Sequence, residues 1–228
     1  MMSTRAESAE TTRHSFAVDS EHTGIRTAVF LLFVGSWIVG YAVANLFIPT
    51  DGFNLVAVGI GFALAFLVSN IAEPQLKKHW PSNRAVYIDS NGVRIEKRGV
   101  IESQVLAEDP ARLLYWRFEV QKRTRIPKGW SMLGSAVEID GRYLCVYTFI
   151  SPDQLKAFAR AEAFIRLAPK KEARANESRQ DLRLAGEQRR LREAETHRWM
   201  EGAEMSFDDF KSYLNTIENL FPEWTSIR

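Results

Sequence analysis

The stretch Gln121–Trp130 combines charge and aromatic surface at close spacing. Lys122, Arg123, Arg125 and Lys128 place four cations within seven residues, with Arg117 upstream and Trp116, Phe118 and Trp130 adjoining. A basic loop carrying an aromatic, held near an anionic leaflet, can bind lipid head groups, each near-surface cation contributing about 1 kcal/mol. The same interleaving suits nucleic-acid phosphate. The competing reading is a solvated hairpin loop whose Trp130 packs on a sheet, and charge clusters are weak enough signals that it stands ahead of either ligand. Of the ligands, lipid is the stronger expectation, and nucleic acid is not expected as a partner.

Covalent and metal chemistry find less support. Cys145 is the single cysteine, which allows no intramolecular disulfide and no cysteine-cluster metal site. His14, His22, His79 and His197 are scattered, with no His-x-x-x-His grouping. No P-loop, G-x-S-x-G motif or two-carboxylate constellation is visible, so neither an enzyme nor a cofactor is expected.

The elements that position the basic stretch begin with the membrane. The 228 residues carry a net charge of +2 and a mean hydropathy of −0.21, averages typical of a soluble chain. Yet residues 27–50 and 52–72 contain no ionisable side chain except Tyr41. At 1.5 Å per residue each run is long enough to cross a hydrocarbon core of about 30 Å. The sequence predicts two antiparallel transmembrane helices, 25–48 and 53–72, reversed at Pro49-Thr50-Asp51-Gly52 and preceded by a flexible segment, 1–24. About 24 polar residues precede the first run, which argues against a cleaved signal peptide. Arg13 and Arg26 before the hairpin, and Lys77, Lys78 and Arg84 after it, place both flanks in the cytoplasm by the positive-inside rule. Ser36, Gly40 and Ala44 recur every four residues in the first helix and Ala57, Gly61 and Ala65 in the second. The pairs 44 with 57, 40 with 61 and 36 with 65 lie at equal depth in a hairpin, which predicts close helix packing.

Beyond Glu73 the period changes. Short β segments surround Asn91-Gly92, Arg98-Gly99 and Asp140-Gly141, dipeptides suited to two-residue hairpin turns. They read as strands at 85–89, 93–97, 100–106, 113–121, 136–139 and 142–150, with 122–135 as an insertion. Ser151-Pro152-Asp153 then opens a helix predicted to continue to about Leu167. A transmembrane hairpin followed by V-Y-I-D-S-N-G-V-R-I, further strands and a closing helix resembles the bacterial membrane-anchored proteins with a PH-like (YcxB-like) domain. The resemblance covers about residues 25–167 and implies a cytoplasmic PH-like domain over 73–168, in a multi-pass protein of the bacterial inner membrane. It carries no catalytic residues with it.

The last sixty residues read as a charged helical spacer and an amphipathic helix, 169–228. Residues 170–198 hold nine cations and six acids, with Glu and Arg repeatedly three or four apart. Phe207, Phe210, Leu214, Ile217 and Phe221 fall on one face of a helix that is marginal alone and must dock on its own domain, a partner groove or a second copy. Charge is segregated: residues 73–198 have 25 Lys+Arg against 17 Asp+Glu, net +8, and 199–228 have 2 against 6, net −4. The sequence thus points to a membrane-anchored binding or scaffolding protein that engages a protein or anionic lipid. Its alternative is a membrane-acting effector whose hairpin oligomerises and permeabilises the bilayer when the cytoplasmic domain senses a ligand.

Overall fold

The computed structural model describes residues 13–20, 22–50, 52–121, 126–168 and 182–224. The chain divides into two compact units, Asp19–Ser82 and a second formed by Met1–Val18 with Asn83–Arg228.

The first unit is a helical hairpin of α1 (Thr23–Phe47) and α2 (Leu55–His79). Both helices are long and apolar enough to span a membrane. Hydrogen bonds clasp the hairpin at both ends. At the turn, the buried Asn54 accepts from the Ala57 amide at 2.9 Å as the α2 N-cap and donates to Asn45 Oδ1 at 3.0 Å and the Ile48 carbonyl at 2.6 Å. At the open end, His22 Nε2 donates to the Trp80 carbonyl at 3.0 Å, and the two rings meet edge-on. The second helix runs past the expected boundary at residue 72. Pro74 removes one backbone donor without ending it, an i,i+4 ion pair of Lys77 with Glu73 follows at 3.0 Å, and Lys77, Lys78 and His79 complement the helix dipole in the last turn.

The second unit is built on two sheets. The first has the order β1-β2-β3-β4, all antiparallel: β1 (His14–Ala17), β2 (Arg84–Asp89), β3 (Gly92–Lys97) and β4 (Val100–Leu106). The other has the order β8-β5-β6-β7-β9, an antiparallel meander of β5 (Arg112–Glu119), β6 (Ser131–Ile139) and β7 (Arg142–Ile150). It is flanked by parallel two-residue edges, β8 (Ile165–Arg166) and β9 (Ala203–Glu204). The tight turns fall at Arg98-Gly99 and Asp140-Gly141, where Arg98 and Asp140 take left-handed backbone angles, and at Ser90-Asn91, one residue earlier than the Asn91-Gly92 dipeptide, because Gly92 already pairs with Asp89 as the first residue of β3. β1 lies before the hairpin in sequence and β2 after it, yet they pair over Ala17–Ala85 to His14–Ile88.

Alternation divides the second sheet into two faces. Leu113, Tyr115, Leu133, Val137, Leu144 and Val146 join residues of the first sheet in the main core. Trp116, Met132, Ala136, Cys145 and Tyr147 point the other way, where Leu191 and Ala194 of α4 (Leu182–Glu201) cover them. The main core is completed by α5 (Phe207–Leu220), which buries Phe210, Tyr213, Leu214 and Ile217, and by Phe221 and Trp224 just beyond it. Phe16 of β1 meets Tyr213 of α5 edge-on, with ring centroids 6.1 Å apart.

Four expectations are corrected. The N-terminal segment is not uniformly flexible, since residues 14–17 are a paired strand; residues 1–12 lie outside the description. Residues 131–135 belong to β6 rather than to an insertion. The helix after Ser151 is α3 (Pro152–Ala157), followed by a 3-10 turn and β8 rather than helix to residue 167. Phe158 and Phe164 both enter the main core; six residues apart, they would point to well-separated faces of a continuous helix, so the chain breaks to bury both. Over its described residues the charged spacer is α4, packed on the sheet by Leu191 and Ala194 rather than solvated all round. Ile217→Ala is expected to cost about 2–5 kcal/mol in denaturant unfolding of the full chain, whereas Leu220→Ala, at an exposed position of the same helix, should stay within about 0.5 kcal/mol.

Candidate functional site

The small residues singled out in the hairpin form its seam. Gly40, Ala44, Ala57, Gly61 and Ala65 are buried, and Ser36, half-buried, turns its hydroxyl onto the Phe33 carbonyl of its own helix at 3.2 Å. The 40/61 pair is the tightest point: a Cβ on Gly40 would meet Gly61 Cα at 3.0 Å, and one on Gly61 would lie 2.8 Å from the Trp37 carbonyl oxygen. Trp37 also packs its ring against Phe62, 5.1 Å between centroids. With the small residues turned inward, the large ones face out. Phe30, Leu31, Ile38, Val39, Leu46, Phe47, Phe53, Leu55, Phe66 and Leu67 are all exposed, Leu46 and Phe47 to 80% and 82%. Soluble monomers rarely present contiguous apolar surface on this scale.

Of the basic stretch, Lys122, Arg123 and Arg125 lie outside the described residues. Arg117 is half-buried on β5, with its carbonyl accepting from the Leu167 amide at 2.8 Å. Lys128 is exposed and Trp130 half-buried. The ends of the loop are pinned by the Val120 amide donating to the Trp130 carbonyl at 2.7 Å, and Ile126 packs against the cluster beneath α4. The described part of the loop thus offers Lys128 as an exposed cation and Trp130 as a half-buried ring.

Sequence reasoning missed the polar network under α4. The Trp116 indole donates to Glu195 Oε2 at 2.9 Å, and Arg198, 5% exposed, pairs with the same carboxylate and lies over the Tyr147 ring at 4.8 Å. The i,i+3 spacing of Glu195 and Arg198 was visible, but it reads equally as a solvated pair; only the sheet beneath makes it a buried one. Cys145 lies in the same layer, and burial pushes its thiol up to about 12. Burial likewise raises the Tyr143 hydroxyl to about 12. The proposed docking helix is α5. Phe210, Leu214, Ile217 and Phe221 are buried and Phe207 half-buried against the chain's own core, so the cis alternative is the one the structure adopts. Tyr115 on β5 donates to Glu218 Oε1 at 2.8 Å, and Arg160 pairs with that carboxylate. Among the described residues, no group of three or more His, Cys, Asp or Glu is placed to hold a metal ion.

No family model, curated protein or solved structure matches the chain.

Gly61→Ala should wedge the two helices apart at a cost of about 1–3 kcal/mol in thermal unfolding of the full chain in detergent. Gly59→Ala, whose added Cβ meets nothing within 4 Å, should leave the transition unchanged or raise it slightly. The Cys145 thiol ionises near its ordinary value of 9 once unfolded but only near 12 when folded. The stability gained by keeping it neutral is therefore whole below pH 9 and lost as pH rises toward 12. Cys145→Ala should shed less stability than the parent chain over that interval, measured as the change in Tm with pH.

Proposed function

We propose that this chain is a membrane-anchored, non-enzymatic binding or scaffolding protein of the bacterial inner membrane, with N- and C-termini cytoplasmic and a PH-like domain that engages a protein or anionic lipid. The observation that carries the reading is the hairpin surface. Two helices of 25 residues with a small-residue seam and an outward layer of Phe, Leu, Ile and Val bury little of their apolar surface on each other. Hydrocarbon is the solvent in which such a surface is at equilibrium.

Chain topology supports a common side for the two flanks. β1 and β2 pair directly, so the strand that enters the hairpin and the strand that leaves it belong to one sheet, which agrees with the lysines and arginines at both flanks. The PH-like assignment draws on the division into four strands, then three antiparallel strands, then a terminal amphipathic helix. In this chain α5 takes the closing position rather than the short α3.

Full-length protein expressed in bacteria should remain in the membrane pellet through alkaline carbonate, and protease should reach tags at both termini only in inverted vesicles. Extraction by carbonate, or tags on opposite sides, would sink the reading. Depolarisation of the expressing cells would favour the effector alternative over a scaffold.

A further inference from the structure

One end of the first sheet gathers residues that the core does not use. The register pairs Ala17 with Ala85, Arg84 with Lys97 and Lys97 with Val100, so the end of β1, the start of β2 and the β3–β4 turn all lie at this end. The Arg98 amide donates to the Asn83 carbonyl at 2.8 Å and holds the turn there. Arg84 brings in a third element. Its guanidinium donates to Glu102 Oε2 at 2.6 Å, to the Glu201 carbonyl at 2.7 Å and to the Gly202 carbonyl at 3.2 Å, which fixes the C-terminal end of α4 against β2 and β4.

The side chains around this staple are apolar and exposed: Val100 67%, Ile101 51%, Trp199 75% and Met200 63%. In this unit the other large hydrophobic residues exposed among those described are Leu106 and Leu220. Lys97, which pairs with Glu102 at 3.8 Å, and Arg98 lie beside them, both exposed. Cations next to exposed aliphatic and indole groups match the head-group layer of a bilayer, where phosphates meet the first methylenes and tryptophan is preferred.

The chain itself restricts what can meet this end. Residues 80–83 alone separate His79 from Arg84, and residues 18–22 separate Ala17 from Thr23. At about 3.5 Å per residue, links of this length reach no further than about 17–21 Å. The end carrying the exposed apolar residues is therefore the one leashed to both helices of the hairpin. We infer that Lys97, Arg98, Val100, Ile101, Trp199 and Met200 form a lipid-contacting rim that rests on the anionic head-group layer of the membrane holding the hairpin. This rests on the membrane reading above. It assigns lipid contact to the β3–β4 turn and the end of α4, away from the β5–β6 loop singled out in the sequence.

The test uses full-length protein reconstituted in vesicles of mixed anionic and zwitterionic lipid, with an environment-sensitive dye on single introduced cysteines. Cys145 is buried, so labelling stays with the introduced thiol. Dyes at Val100→Cys and Met200→Cys report the rim. One at Ser90→Cys, in the exposed β2–β3 turn at the opposite end of the sheet, gives the background, and one at Leu46→Cys reports the hairpin. Head-group nitroxide should quench both rim labels at least about threefold more than the Ser90 label, and Lys97→Glu with Arg98→Glu should remove most of that difference in anionic vesicles. Acyl-chain nitroxide should quench the Leu46 label. If Leu46 is quenched and the rim labels are quenched no more than Ser90, the rim inference is overturned while the membrane reading stands. If Leu46 is not quenched, the membrane reading itself fails. Rim labels that shift to the blue without quenching would show a protein surface, or a second copy, covering the rim in place of lipid, and would also overturn it.

Discussion

The pairing of β1 with β2 is the constraint on which the rest of the architecture depends. Four residues before the hairpin hydrogen-bond to strand residues roughly seventy positions later. That one ladder turns a long apolar insertion into a loop with both ends anchored in the same sheet. It places Phe16 and Val18 in the main core, and it sets which end of the sheet carries the two connections to the helices.

How much of this could be read from the sequence depends on where the decisive information is stored. The hairpin was legible because its signal is compositional: an absence of charge over 27–50 and 52–72 does not depend on distant partners. The seam was legible for a related reason, since small residues spaced by four define a helix face without reference to anything else. The hairpins were legible where Arg98-Gly99 and Asp140-Gly141 form two-residue turns and where Gly92 follows the turn between β2 and β3. β1 was not, because His-Ser-Phe-Ala is four residues long and becomes a strand only through β2. The helix expected to run from Ser151 to Leu167 failed on a similar ground. Its capping box is real, with Ser151 and Gln154 exchanging hydrogen bonds, but a cap specifies only a start. Where the helix stops was decided by the core's demand for both Phe158 and Phe164.

The charged segment before α5 shows how burial redefines a residue. Glu195 and Arg198 belong to a sequence that looks fully solvated, yet Leu191 and Ala194 turn α4 onto the sheet and carry the pair into the layer with Trp116, Tyr147 and Cys145. Of the basic β5–β6 loop, the described residues place Trp130 and Lys128 but not Lys122, Arg123 or Arg125. The charged and apolar surface that the fold does assemble is elsewhere, built from three elements that no local window of sequence brings together.

The edge-on contact of Phe16 with Tyr213 joins residues from near the two ends of the chain. Its meaning extends to the order in which the molecule is made. Synthesis delivers β1 before the hairpin and its partner strand only after both helices have emerged; α5, which seats Tyr213 and Ile217 in the same core, follows all the strands. Until then the core between the two sheets lacks the side chains that α5 adds, so the half-made chain leaves part of its apolar surface bare. A nascent chain stopped short of α5 therefore lacks part of the core that β1 has already begun.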